Sequence, residues 1–271
     1  KSAIMISSEH PISVYVLVNY SSTSEGFTLL PINLLSNEYI ISSYGDASIY
    51  YPPYSGFLSL CGISAIYDGT EVSFKLGGNQ SSVTSSEQKT GEIVKKVLNK
   101  GDVWMISSKG RDADLSGSLI TSNLPISVVS ASYSANIPSN NKYAAYIAEM
   151  ELGTRYWGHT FHIPIIYGRK FSPIVRIYAK EANTNIKLNG ENYAVINQKG
   201  GILGEGFLEL RINDLLGAKC GTISSDKQIS VTLYNTGVEE DGLPEPDGDP
   251  FQILLNPYEN YLNEVSFSMP A

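Results

Sequence analysis

Apolar and polar residues alternate along much of the chain. In residues 71–76 the apolar Val72, Phe74 and Leu76 are separated by Ser73 and Lys75. A period of two places one set of side chains on each face of a β-strand. Runs of the helical type, rich in Ala, Leu, Glu and Lys, are missing. One short stretch, EIVKKVLNK at 92–100, reads as a helix. Turn signals recur every 8–12 residues or so, the spacing of an all-β sandwich or barrel. Residues 79–92, 136–142 and 239–250 read as loops; the last is acidic and rich in Pro and Gly.

The pattern repeats. ISSEHPISVY at 6–15 returns as ITSNLPISVV at 120–129 and as ISSDKQISVT at 223–232, with offsets of 114 and 103. Each phrase reads as a strand, a polar turn and a second strand. AIYDGTEVSFKLGG at 65–78 is echoed by AKEANTNIKLNGE at 179–191, and each reads as a β-hairpin around a tight turn. GDVWMI at 101–106 resembles GFLELRI at 206–212, and DLSG at 114–117 meets DLLG at 214–217. Repeats of this length mark duplicated domains rather than solenoid units, whose periods run from about 20 to 50 residues. The expected fold is therefore all-β: β-sandwich-like modules over 1–112 and 113–218, with a partial third copy at 219–271 packed on them.

Composition narrows the function. The chain of 271 residues is 42% hydrophobic but only 17% charged, with 18 Tyr. Its net charge is −8 and its pI about 4.9. An acidic chain argues against nucleic acid or an anionic membrane as the main partner, since both need a basic face. No run approaches 18 apolar residues, so nothing in it reads as a membrane span. Lys1 stands where an initiator Met would, so the chain reads as a processed form or an excised part. Cys61 and Cys220 are either two buried free thiols or one disulfide stapling the third copy to the first.

No catalytic constellation stands out. GxSxG is absent. The Ser of DLSG is replaced by Leu216 in its echo, so the motif reads as a structural turn. His159 and His162 lie three apart on a strand, facing opposite sides, and read as ordinary strand histidines. Two features suit binding instead. Tyr156 and Trp157, in RYWG, suit an exposed aromatic platform, although Trp104 reads as core. The acidic loop 239–250 reads as a surface feature serving binding more than folding. Asp241, Asp247 and Asp249 are its candidate calcium ligands, and Glu245 a binding residue, because hard cations take several converging oxygens. A plain solvated loop is the simpler alternative, and no cofactor is required. Asn19 and Asn79 head Asn-x-Ser sequons, Asn79 being the better glycan acceptor for its place in a loop.

DLSGSLITSNLPISVVSASYSANIPSNN, then WGHTFHIPI, then VRIYAKEANTNIKLNG, together with the opening ISSEHPISVYVLVNYSSTSEGFTLLP, resemble the IgG-Fc-binding protein amino-terminal domain family. That family occurs in animal secreted proteins and in bacterial surface proteins. The resemblance spans nearly the whole chain and consists of structural phrases. Animal members tend to carry Cys and His around the V-P loop, where this chain has Ala135, Asn136 and SNNKYAAY. The resemblance implies an extracellular or cell-surface, non-catalytic adhesion module that recognises a glycoprotein, glycan or protein. A carbohydrate-binding module of a secreted enzyme and a hydrolase are the rival readings, because fold alone does not fix a ligand.

Overall fold

The computed structural model describes residues 2–20, 23–47, 56–141, 143–212, 220–242 and 248–264. The chain is all-β, 48% strand and 6% helical. A small hairpin, β1 (Tyr15–Asn19) with β2 (Ser24–Thr28), precedes two seven-stranded sheets. The first contains β3 (Ser36–Ile40), β4 (Ser59–Ala65), β5 (Thr70–Lys75), β6 (Ile93–Leu98), β7 (Val103–Ser107), β8 (Leu119–Ala135) and β9 (Ala145–Met150). The second contains β10 (Gly158–Ile163), β11 (Ile174–Ala179), β12 (Thr184–Leu188), β13 (Glu191–Ile196), β14 (Phe207–Arg211), β15 (Gly221–Tyr234) and β16 (Gln252–Leu254).

The alternation does what a strand requires. In β5, Val72 and Phe74 are buried and Glu71 is exposed; in β12, Ile186 and Leu188 are buried and Asn185 and Lys187 are exposed. Residues 93–98, expected to be helical, form strand β6. The physical reason is tertiary. Ile93, Val94 and Val97 are β-branched, and β5 supplies the ladder Lys75↔Ile93 through Thr70↔Leu98.

Each sheet is built on one long strand that serves two groups of partners. In β8, Thr121 faces Glu38 of β3 and Ser73 of β5, while Val129 faces Gly62 of β4 and Met150 of β9. Ile126 faces both Ser36 and Ala65, so β4 and β5 share one edge of β8 and β3 and β9 the other. Between these halves the chain turns at Ser122–Pro125, where Ser122 Oγ donates to Leu124 O at 2.6 Å. A strand that changes partners through a bend lets one sheet fold around its own core. That core joins Tyr39, Ile63, Phe74, Leu98, Ile120 and Val128 from five strands. β15 repeats the design: Ser225 Oγ donates to Lys227 O at 2.6 Å, and Phe161, Ile177, Ile186, Ile223 and Val231 fill the second core.

This pairing corrects two expectations. The segments at 65–78 and 179–191 are not single hairpins, because β4 and β5 bond to successive halves of β8 rather than to each other. Nor do the strand-paired units follow the expected boundaries: the sheets run over 36–150 and 158–254. The phrase at 120–129, expected to open a second copy, is the central strand of the first sheet, and that at 223–232 is the central strand of the second. Around Ile12 the chain forms no strand, and β1 begins only at Tyr15. Cys61 and Cys220 are free thiols, the first buried and the second exposed, so the disulfide alternative does not hold.

The two sheets meet through shared cores. Tyr44, Ile137 and Ile147 of the first unit pack with Ile174 and Tyr234 of the second; Ile40 packs with Trp157, Tyr178 and Phe207. Between these clusters, glycine-lined backbones touch directly. Gly201 N donates to Gly117 O at 2.8 Å and Leu203 N to Gly78 O at 2.9 Å.

Candidate binding surface

The residues singled out for hydrolytic chemistry are structural. Asp114 Oδ1 accepts the Ser116 N–H at 2.8 Å and its Oγ–H at 2.7 Å, closing the DLSG turn. Arg176 of β11 reaches across the junction to Asp114 and also to Glu209, each at 2.8 Å. Its guanidinium lies over the Tyr44 ring at 4.5 Å. A serine tied to a buried aspartate and arginine is not a free nucleophile.

Trp157 is buried, and its Nε1–H donates to Leu152 O at 3.0 Å. Its face therefore belongs to the junction, not to a platform. Tyr156 is half-buried, with the Arg155 guanidinium 4.6 Å from its ring centre and its hydroxyl donating to Asn33 O at 3.2 Å. The acidic loop is also more structural than its composition suggests. Asp241 is buried, ion-paired with Arg169, and accepts the Lys170 N–H at 2.7 Å. Glu240 pairs with Arg211, and Glu239 accepts the Tyr143 N–H at 3.0 Å. Asp249 offers its backbone carbonyl to Asn235 Nδ2 at 3.0 Å, and burial pushes its carboxyl above the ordinary range. Glu245 and Asp247 lie outside the described residues. Among the described residues no group of three or more His, Cys, Asp or Glu is placed to hold a metal ion. Asn79 spends its side-chain amide on Asp112 O at 2.7 Å, whereas Asn19 is exposed at the end of β1.

A surface that the sequence reading missed lies on the second unit. His162, Pro164, Ile253, Leu255, Asn256 and Tyr261 line a groove of about 320 Å³. A second depression of about 390 Å³, over Glu71, Lys95, Lys96 and Asn123, carries mixed charge. The groove is aromatic at one end. The His162 ring stands 5.7 Å from Tyr258 and 6.4 Å from Tyr261, which are 5.6 Å from each other. His162 Nδ1 and Thr222 Oγ1 are 3.1 Å apart. β10 positions the histidine by alternation: Phe161 and Ile163 point into the core, so His162 points out. The tyrosines come from the turn Tyr258–Asn260 and the residue after it, held over β10 where Glu259 Oε1 accepts the His159 N–H at 2.9 Å.

The repeat gives this groove a counterpart. His162 faces Thr222 in β15 as Ile40 faces Leu119 in β8. Tyr261 follows its short turn as Trp157 follows the turn Thr154–Tyr156. Ile40 and Trp157 are buried together at the junction, with Leu119 against them. In the second unit the same positions, His162 and Tyr261, are open to solvent, as are the neighbouring Tyr258 and Leu262.

Residues 25–271 match the family described as IgGFc binding protein. The human IgGFc-binding protein (Homo sapiens) is 24% identical over 257 residues, which is 93% of this chain and 4% of that protein. The chain therefore spans about a twenty-fifth of that relative's length. No solved structure matches. No helix among the described residues is long and apolar enough to cross a membrane. With the family's sequence pattern covering all but its first 24 residues, the chain belongs to the IgGFc-binding protein family.

Proposed function

We propose that the chain is an extracellular, non-catalytic adhesion module that recognises a protein surface through the groove at His162, Tyr258 and Tyr261. The observation that carries this reading is the groove's counterpart. Where the first unit has Ile40 and Trp157, the same positions bury a protein surface made of Tyr178 and Phe207. A groove that shares the geometry of an internal junction suits a protein partner of similar chemistry, with aromatic residues as anchors. The family is not an enzyme family, which agrees with a binding role. The relative's name makes the Fc fragment of immunoglobulin G the first protein to test.

Surface plasmon resonance of the immobilised chain against that fragment provides the measurement. Binding that weakens about tenfold or more in Tyr261→Ala, as for a central aromatic anchor, is the expected result. Binding that Tyr258→Ala and Tyr261→Ala leave unchanged removes the groove from the reading. A glycan is the second reading, favoured by the exposed rings at one end of the groove, since aromatic faces stack on apolar sugar faces. Signals on a glycan array that the same two substitutions abolish, with none on protein, decide for it.

A further inference from the structure

The hairpin β1–β2 is a third instance of a hairpin the chain builds twice inside its sheets. β1 pairs with β2 as Tyr15↔Thr28, Val16↔Phe27, Leu17↔Gly26 and Val18↔Glu25. β8 pairs with β9 as Val129↔Met150, Ser130↔Glu149, Ala131↔Ala148 and Ser132↔Ile147. Each β1 residue lies 114 before its counterpart in β8, and each β2 residue 122 before its counterpart in β9, with no slip of register. The short turn Ile32–Leu34 follows β2 as Thr154–Tyr156 follows β9.

The other edge differs. In β8, residues 126–132 bond to β4 and residues 119–122 to β5. The same positions in the first phrase are residues 12–18 and 5–8, and among the described residues β1 pairs with β2 alone. The consequence is exposure. Ile120 and Ile126 are fully buried, whereas their counterparts Ile6 and Ile12 are each 55% exposed, and Val14, the counterpart of buried Val128, is only half-buried; on the other face Tyr15 and Leu17 are exposed too. A two-stranded hairpin is marginal by itself, and a long apolar edge is a template for further pairing.

We infer that residues 4–19 are the central strand of a further module of this fold, and that along one edge they take two antiparallel strand pairs, of the β4·β7 and β5·β6 kind, from polypeptide on their N-terminal side. The position of the donor follows from the two complete units: β4–β7 directly precede β8, and β11–β14 directly precede β15. A second copy of this chain does not fit, since its β4–β7 already hold β8 and its β11–β14 already hold β15. The bond would be a backbone ladder, with side chains at alternate positions buried beneath it. Val14, the counterpart of buried Val128, would enter the core.

The test appends the strands and reads amide exchange. A fusion carries residues 36–114 ahead of the full chain, so that Lys1 takes the place of Leu115 in the repeat. A second fusion carries residues 158–217 there instead. The expected result is that amides of residues 12–18 exchange about 100-fold more slowly in a fusion than in the chain alone, as in a core strand. Val14→Asp should then restore fast exchange there while β8 and β15 stay protected. Fast exchange at 12–18 in both fusions overturns the inference. So does a dimer of the chain alone with those amides protected, which would make the occupant a second copy.

Discussion

Glu151 follows β9 directly and is buried. Its Oε1 accepts the Ser42 N–H at 2.7 Å and the hydroxyls of Ser42 at 3.0 Å and Ser130 at 2.6 Å. Those bonds favour the carboxylate, but burial outweighs them and raises its pKa to about 7. Glu149 and Glu25 are raised to about 7 as well, again mainly by burial. They meet the backbone of β16 at Leu254 N and Gln252 N. An acid whose folded pKa exceeds its unfolded value binds its proton more tightly when folded. Its contribution to stability is complete below about 4.5 and is lost as pH rises through about 7. The protein should therefore resist urea better at pH 5 than at pH 8. A tenfold change in proton affinity is worth about 1.4 kcal/mol, so Glu151→Gln should gain on the order of 1–3 kcal/mol at pH 8 and little at pH 5. Urea titrations of both proteins at the two pH values check it; equal pH slopes would place the effect on the other two carboxyls.

At the scale of elements, the two units mark which turn features matter. The turn between β4 and β5 has Gly69 at φ +67°, and its counterpart between β11 and β12 has Asn183 at φ +55°. Gly and Asn are the residues that tolerate this left-handed conformation. Beside it, Thr70 Oγ1 donates to Tyr67 O and Thr184 Oγ1 to Glu181 O, each at 2.7 Å. A side chain at Gly69 meets no atom within 4 Å. Gly69→Asn should consequently leave the melting temperature nearly unchanged, within about 0.5 kcal/mol of stability. Gly117 has the same backbone hand at φ +73°, but a Cβ there would lie 2.3 Å from Gly201 O. Gly117→Ala forces the two backbones apart, and thermal melts should show a loss of about 2 kcal/mol or more.

For the whole molecule, the junction makes two units behave as one. Arg176 belongs to the second unit, yet its partner Asp114 belongs to the first, and their side chains are 6% and 8% exposed. Removing one member of a buried pair strands the other charge, typically at about 3–5 kcal/mol. Arg176→Met should cost that much in urea unfolding and weaken both units, since Tyr44 and Tyr234 also pack on the guanidinium. Adding Asp114→Asn should recover part of the loss, because the stranded charge is gone. Independent melting of 36–150 and 158–254 in the parent protein would refute this coupling.

The sequence by itself was enough for the all-β class, the internal repeat and the family, because a period of two and the recurrence of turn residues are local properties. It also determined that DLSG is a turn, since the echo at Leu216 lacks the hydroxyl. What only the tertiary structure decided was partnership. Residues 93–98 are a strand because β5 lies beside them, and the phrase at 120–129 is a central strand because four others find its two edges. Trp157 reads as an exposed aromatic until Ile40, Tyr178 and Phe207 close over it. Tyr261, at the same place in the repeat, stays exposed. Asp241 looks like a free carboxylate until Arg169 arrives from 72 positions earlier. Pairing and burial depend on residues distant in the chain, and a pattern of alternation names a face without saying what will cover it.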